Sequence, residues 1–148
     1  MEAQKISPVS FGMIKPIMKD GKSDIKNNVS FGYKSELKTL FRDGKLPSVK
    51  FDVFGAELTP KNATIDHIIP KSKGGPNALY NYTLATDYWN HLRGNKPLSG
   101  FLTKENLDRY ISQFVDVVVD TFNGNEYIKG ILKTIEKAGK MGVWRNFG

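Results

Sequence analysis

The chain has 148 residues, 39% of them hydrophobic and 25% charged, a balance that fits one globular domain with a core of its own. Lys and Arg outnumber Asp and Glu by 22 to 15, giving a net charge of +7 and an isoelectric point near 9.5, which favours a polyanionic partner. Cysteine is absent, so disulfides and thiolate zinc sites are excluded, and no stretch approaches the roughly 18 apolar residues of a membrane span.

Residues 1–32 read as a flexible arm ahead of a domain over 33–148. Lys, Gly, Asp, Asn, Ser and Pro interrupt every apolar pair in its first 28 residues, so no helical or strand period is sustained. The same interruptions leave no uninterrupted apolar core of a secretory signal, and a cytoplasmic protein without membrane contact is expected. One five-residue pattern occurs twice, Pro8 to Gly12 and Asn28 to Gly32, sharing Val-Ser-Phe-Gly. Two copies do not make a solenoid; chance or a pair of similar turns accounts for them, the sharper alternative being a short docking motif.

Ser35 to Arg42 predicts a short helix. Ser35 can cap it, Leu37, Leu40 and Phe41 fall on one face, and Asp43-Gly44 with Pro47 ends it. Val49 to Leu58 alternates as a strand, a turn at Gly55 and a return. Ala63 to Ile69 is a strand with β-branched residues at its centre, ended by Pro70. Lys71 to Pro76 is a loop whose two Gly residues can take positive φ. Asn81 to Ala85 reads as a second strand. Thr86 then caps a helix that carries Trp89, Asn90 and Arg93 and stops at Gly94 and Pro97.

In the last third, Thr103 can cap a helix running to Phe122, with Leu107, Tyr110, Ile111, Phe114, Val115, Val118 and Phe122 as its apolar stripe; Val117 to Val119 carries strand propensity within it. Asn123-Gly124 ends that helix. A second follows from about Glu126 to Ala138, with Ile128, Ile131, Leu132 and Ile135 on its apolar face. Val143, Trp144 and Phe147 are candidate anchors beyond it. The expected role is a helical hairpin over 103–138 that completes the core. The alternatives are a homodimer interface through these helices, or a basic face on a nucleic-acid backbone formed by Lys133, Lys137, Lys140 and Arg145.

The stretch with chemistry runs from Ile65 to Pro97. Asp66-His67 ends an apolar strand, Ile-Ile-Pro and Lys-Ser-Lys-Gly-Gly follow, then come Asn81 and Asn90, with Arg93-Gly94-Asn95 behind. Adjacent strand residues face apart, so Asp66 and His67 can serve one site only where the strand ends or bends, a context that Pro70 and the loop supply. In order and spacing this stretch resembles the catalytic motif of the HNH endonucleases, the ββα-metal nucleases. The resemblance covers roughly residues 50–97.

The resemblance implies an α+β fold: a ββα-metal module with a flanking N-terminal helix and the C-terminal helical hairpin. It implies a metal-dependent endonuclease that hydrolyses phosphodiester bonds in nucleic acid, with DNA expected, leaving 5′-phosphate and 3′-hydroxyl ends. His67 would be the general base, its ordinary pKa of about 6.5 suiting neutral pH. Asp66 and Asn90 would hold one Mg²⁺ or Mn²⁺ through oxygen atoms. Asn81 would latch the loop and hold His67 in place, while Lys71, Lys73, Arg93 and Lys96 would contact phosphates. His91, one residue from Asn90, points about a third of the way round the helix and reads as surface or phosphate-contacting.

The pattern also departs from the family. Two Cys-x-x-Cys pairs in many of its members bind a structural zinc; Phe51, Phe54, Thr86 and Trp89 stand at those positions here. No structural zinc is therefore expected, and Phe51, Phe54 and Trp89 are expected to pack together in its place. A catalytically silent nucleic-acid-binding or protein-interaction module is the alternative function.

Overall fold

The computed structural model describes residues 36–140. The arm with both Ser-Phe-Gly segments, the Ser35 cap, Val143, Trp144, Arg145, Phe147 and the side chain of Lys140 lie outside the described residues. The described part is mixed α+β, with four helices and two small antiparallel sheets.

Helix α1 (36–42) buries Leu37, Leu40 and Phe41, the three residues that share its apolar face. It ends where Gly44 turns to φ +76°; the Gly44 amide donates to Phe41 O and the Lys45 amide to Leu40 O, satisfying two terminal carbonyls. The next segment expected as a strand and return is reduced to one bridge, Phe51 to Glu57, around Gly55 at φ +93°. A side chain causes the reduction. Asp52 is fully buried; its Oδ1 accepts from the amides of Phe54 and Ala56 at 2.9 and 2.8 Å, and its Oδ2 accepts from Thr86 at 2.7 Å. Amides that a longer ladder would use are thus turned onto one carboxylate.

Strands β1 (Ala63–His67) and β2 (Tyr82–Thr86) pair antiparallel, Asp66 opposite Thr83 and His67 opposite Tyr82. Helix α2 (Asp87–Arg93) follows without a linker. Its cap is Thr86, whose hydroxyl accepts from the Trp89 amide, and it ends at Gly94, whose amide donates to Asn90 O.

Helix α3 (Lys104–Ser112) is capped by the Thr103 hydroxyl and buries Leu107 and Tyr110. The single helix expected from Thr103 to Phe122 does not form. Beyond α3, β3 (Val118–Val119) and β4 (Phe122–Asn123) make a hairpin, and α4 (Gly124–Lys140) begins directly after it. The expected helical hairpin is therefore two helices joined by a β-hairpin. Three features break the helix. Gln113 grips the extended backbone at 50–51 through both ends of its amide; Asp116 sits at φ +61°, held reciprocally by Asn125; and Asp120 turns the hairpin at φ +54°. On α4 the buried face is Tyr127, Ile131, Ile135 and Ala138, whereas Leu132, expected there, is exposed.

The core gathers where these elements meet β2. Tyr110, Phe114, Phe122 and Tyr127 pack with ring centroids 4.9–6.0 Å apart. The edge of β2 that faces away from β1 is satisfied without a third strand. The Tyr82 carbonyl accepts from the Tyr127 hydroxyl at 2.7 Å and the Leu84 amide donates to Tyr110 Oη at 2.8 Å. The Leu84 carbonyl accepts from the Val53 amide, and the Thr86 amide donates to Asp52. Three side chains and one backbone amide thus do for this edge what a neighbouring strand would do. Among the described residues no helix is long and apolar enough to cross a membrane.

Candidate functional site

Asp66 and His67 are the last two residues of β1, still in the regular ladder, and they leave it on opposite faces, so the strand end does not bring the two side chains to one side as expected. The Asp66 face, shared with Thr64 and across the ladder with Thr83 and Ala85, is covered by α2. Asp66 is 3% exposed and its Oδ2 lies 2.6 Å from Arg93 Nη1. Burial pushes its carboxyl up to about 6, and the Arg93 guanidinium beside it offsets only part of that rise.

Arg93 is fully buried. Besides Asp66, its guanidinium donates to three carbonyls: Nη1 to His67 O at 2.7 Å, Nη2 to Ile68 O at 3.0 Å and Nε to Lys96 O at 2.8 Å. The expectation that Arg93 contacts phosphate is therefore corrected. The carbonyls left where β1 ends draw the side chain inward and use its fork of donors. Lys71 and Lys73, on the turn after β1, and Lys96, beyond α2, are exposed; Lys96 also lies 6.0 Å over the Phe101 ring. His91 is exposed too.

Asn90 reaches β1 from α2. Its Nδ2 donates to Thr64 Oγ1 at 2.8 Å and to Ile65 O at 3.1 Å, so its amide oxygen faces away from those acceptors. On the other face, the half-buried His67 ring stands edge-on to Tyr82, 5.1 Å between centroids, with Nε2 3.2 Å from Asn77 Oδ1. An amide oxygen accepts, so this contact favours the proton on Nε2 and the basic lone pair on Nδ1.

The loop between the strands is cinched by Asn81, which is fully buried. Its Oδ1 accepts from the Ile69 amide, and its Nδ2 donates to Ile69 O and Pro76 O, at 2.9–3.0 Å. Asn81 thus ties the loop together, and none of its side-chain bonds reaches His67. Gly75 lies so close to Ile69 that a Cβ there would fall 1.7 Å from the Ile69 oxygen, a contact only glycine permits.

The expected packing of Phe51, Phe54 and Trp89 forms only in part. Phe54 packs on Trp89 at 5.9 Å and on Phe101 at 6.5 Å, whereas the Phe51 ring lies under the Arg109 guanidinium at 5.1 Å. The link between the 50s turn and the start of α2 is made by Asp52. A lone acid inside the apolar run Val-Lys-Phe-Asp-Val-Phe was its one signal in the sequence. Sequence reasoning also missed Thr83. Its hydroxyl and that of Tyr82, the cross-strand partners of Asp66 and His67, are buried without a hydrogen-bond partner among the described residues.

Comparison with protein-family models, with curated proteins and with solved structures found no match.

Proposed function

We propose that this chain is a divalent-cation-dependent endonuclease of the HNH type, hydrolysing phosphodiester bonds in DNA to 5′-phosphate and 3′-hydroxyl ends, with His67 as general base. The observation that supports it most is the coupling at the end of β1. Asn81 pins the loop behind Asp66-His67, and α2 lays Asn90 and Arg93 against the same strand end. Arg93 holds Asp66 and His67 directly, while Asn90 holds Thr64 and Ile65 before them and Asn81 holds Ile69 after them.

The residues fit a hard divalent ion in donor type. Arg93 occupies Asp66 Oδ2, while Asp66 Oδ1 and Asn90 Oδ1 take no hydrogen bond from the described residues. Among these residues no three His, Asp or Glu side chains cluster, so the rest of the shell would come from outside the chain, which requires the 3%-exposed Asp66 carboxylate to open to it. When bound, the ion would neutralise charge on the scissile phosphate and its leaving oxygen. The His67 imidazole, steadied by Asn77 and Tyr82, takes the proton of the attacking water. Arg93 holds the Asp66 carboxylate and the His67 carbonyl in one place, which fixes the two residues relative to each other. Lys71, Lys73 and Lys96 supply exposed positive charge for the backbone of the nucleic acid, and binding is expected to fall steeply with salt.

The test is cleavage of supercoiled, linear and single-stranded DNA with Mg²⁺, Mn²⁺ or EDTA, comparing the wild type with His67→Ala and Asn90→Ala. Metal-dependent cutting is expected, reduced by roughly 10²–10⁴-fold in His67→Ala. Absence of cutting with either metal on all three substrates would sink the catalytic reading.

A further inference from the structure

We propose that Tyr80 is a stacking platform for an unpaired nucleobase, carried on the loop that also contacts His67, so that the strand this chain engages is single-stranded at that point. The inference rests on the nucleic-acid reading above and adds the form of the strand.

Tyr80 is 51% exposed, and among the described residues its ring makes no aromatic contact and its hydroxyl no hydrogen bond. The other exposed tyrosine among these residues, Tyr88, stands edge-on to Trp89 at 5.6 Å, while Tyr82, Tyr110 and Tyr127 are buried. The stem of Tyr80, by contrast, is fixed. A Cβ built on Gly130 would fall 2.9 Å from Tyr80 Cβ and 3.5 Å from its Cα, so α4 meets the turn Leu79–Asn81 this closely only because residue 130 has no side chain. Glycine inside a helix is destabilising relative to alanine, and here it stands where Tyr80 is seated. The next residue, Asn81, is the buried tie to Ile69 and Pro76. An anchored stem with a bare ring takes a flat ligand at little further loss of side-chain freedom.

The surroundings identify that ligand. Three residues before Tyr80, Asn77 Oδ1 lies 3.2 Å from His67 Nε2. Three trans peptides span at most about 11 Å between Cα atoms, so Tyr80 and the His67 ring sit within the length of a few nucleotides. On α4, Lys133 and Lys137 follow Gly130 at i+3 and i+7, on the same face, and both are exposed. Of the acids of this helix, Glu126 pairs with Lys129, and Glu136 faces about a third of a turn away from Gly130. An open aromatic face flanked by cations matches a base and its phosphates. In a duplex the faces of the bases are covered by their neighbours, so stacking on Tyr80 selects an unpaired one.

The experiment is fluorescence anisotropy of a labelled thymidine oligonucleotide, single-stranded or paired with its complement, titrated with the full chain in EDTA at one fixed low salt concentration. Wild type is compared with Tyr80→Ala, Tyr80→Leu and Tyr80→Phe. Tyr80→Ala is expected to weaken single-strand binding by roughly 5–150-fold, the contribution of one stacked base, and to leave duplex binding unchanged. Tyr80→Leu, which keeps bulk against α4 without a flat face, should fall in the same way, and Tyr80→Phe should bind as wild type does. The proposal is overturned if both Tyr80→Ala and Tyr80→Leu keep single-strand affinity, if they lose single strand and duplex alike, or if the wild type binds no single strand. The cleavage assay is read separately. Cutting by wild type beside unaffected variants leaves the nuclease reading standing without the platform; the expected binding pattern without cutting leaves the platform on a silent binder.

Discussion

The Arg93 guanidinium meets the Asp66 carboxylate at 2.6 Å where water reaches almost neither, the side chains being 0% and 3% exposed. A buried ion pair gains little unless its remaining hydrogen-bonding capacity is met. Arg93 meets that condition by donating also to the carbonyls of His67, Ile68 and Lys96. One side chain from the last turn of α2 therefore fixes the end of β1, the start of the following loop and the exit from the helix.

Removing one partner should be far worse than never having had the pair. Arg93→Ala strands a buried carboxylate and leaves three carbonyls without this donor, and a loss of about 3–5 kcal/mol is expected. Arg93→Lys keeps the charge but not the planar fork, so it should recover only a minority of that loss. Urea denaturation of the three proteins measures both, and a cost below about 1 kcal/mol for Arg93→Ala would mean that the pair contributes no more than a surface bridge.

The same burial predicts a pH dependence of stability. Asp66 is raised to about 6 in the fold, desolvation being the larger influence and Arg93 the opposing one. A folded value above the unfolded one means that the native state binds the proton more tightly. The stability from this group is therefore present in full below the unfolded pKa of about 4 and is lost as pH rises through about 6. Subtracting the unfolding free energy of Asp66→Asn from that of wild type, in EDTA, should give a difference that declines across pH 4–6 by up to about 1.4 kcal/mol per pH unit and is level above it. A difference that instead rises over that window would show the Arg93 charge prevailing over desolvation.

Much of the local architecture around the site was legible because short-range chemistry decides it. Thr86 caps α2 and Gly94 ends it from residue type alone, and Asp43-Gly44 stops α1 in the same way. What misled was decided at long range. The apolar stripe from Leu107 continues at helical spacing through Phe122, yet α3 stops because the Gln113 amide finds partners at Lys50 and Phe51, more than sixty residues away. Arg93 reads as a surface cation on a short helix; only the three carbonyls brought together in the fold make its burial favourable. Thr83 is invisible, and Asp52 shows only as a lone acid, for the same reason, since their meaning depends on what stands across from them.

The loop latch offers a more local test. Asn81→Ala removes three hydrogen bonds at once, two to Ile69 and one to Pro76, and leaves a buried amide and a buried carbonyl of Ile69 unmatched. Each unmatched group costs about 1–3 kcal/mol, so the variant should lose at least the low end of that range in denaturation and should exchange the Ile69 amide hydrogen faster than wild type. Asn81→Asp keeps the acceptor for the Ile69 amide but turns a buried carboxylate oxygen onto the Ile69 and Pro76 carbonyls, and should be no more stable than Asn81→Ala at neutral pH. Unchanged Ile69 exchange in Asn81→Ala would show that the loop holds itself.

The outer edge of β2 supports a prediction about how its two tyrosines act together. The Leu84 amide donates to Tyr110 Oη; Tyr127 Oη donates to the Tyr82 carbonyl, which can only accept; the 2.9 Å contact between the two phenols must therefore run from Tyr110 to Tyr127. Burial pushes both phenols up, Tyr127 well above its ordinary value, so the relay keeps its protons through neutral and mildly alkaline pH. Tyr110→Phe orphans the Leu84 amide, and Tyr127→Phe orphans the Tyr82 carbonyl together with the Tyr110 proton. Each should cost about 1–3 kcal/mol. Because the shared bond is broken by either change, the double variant should lose less than the sum, with a coupling of about 0.5–3 kcal/mol in a double-mutant cycle. Strict additivity would separate the two hydroxyls energetically and leave β2 held at two independent points. A positive coupling would make α3, α4 and β2 one unit, so that loosening either helix reaches the strand carrying Thr83 and Tyr82.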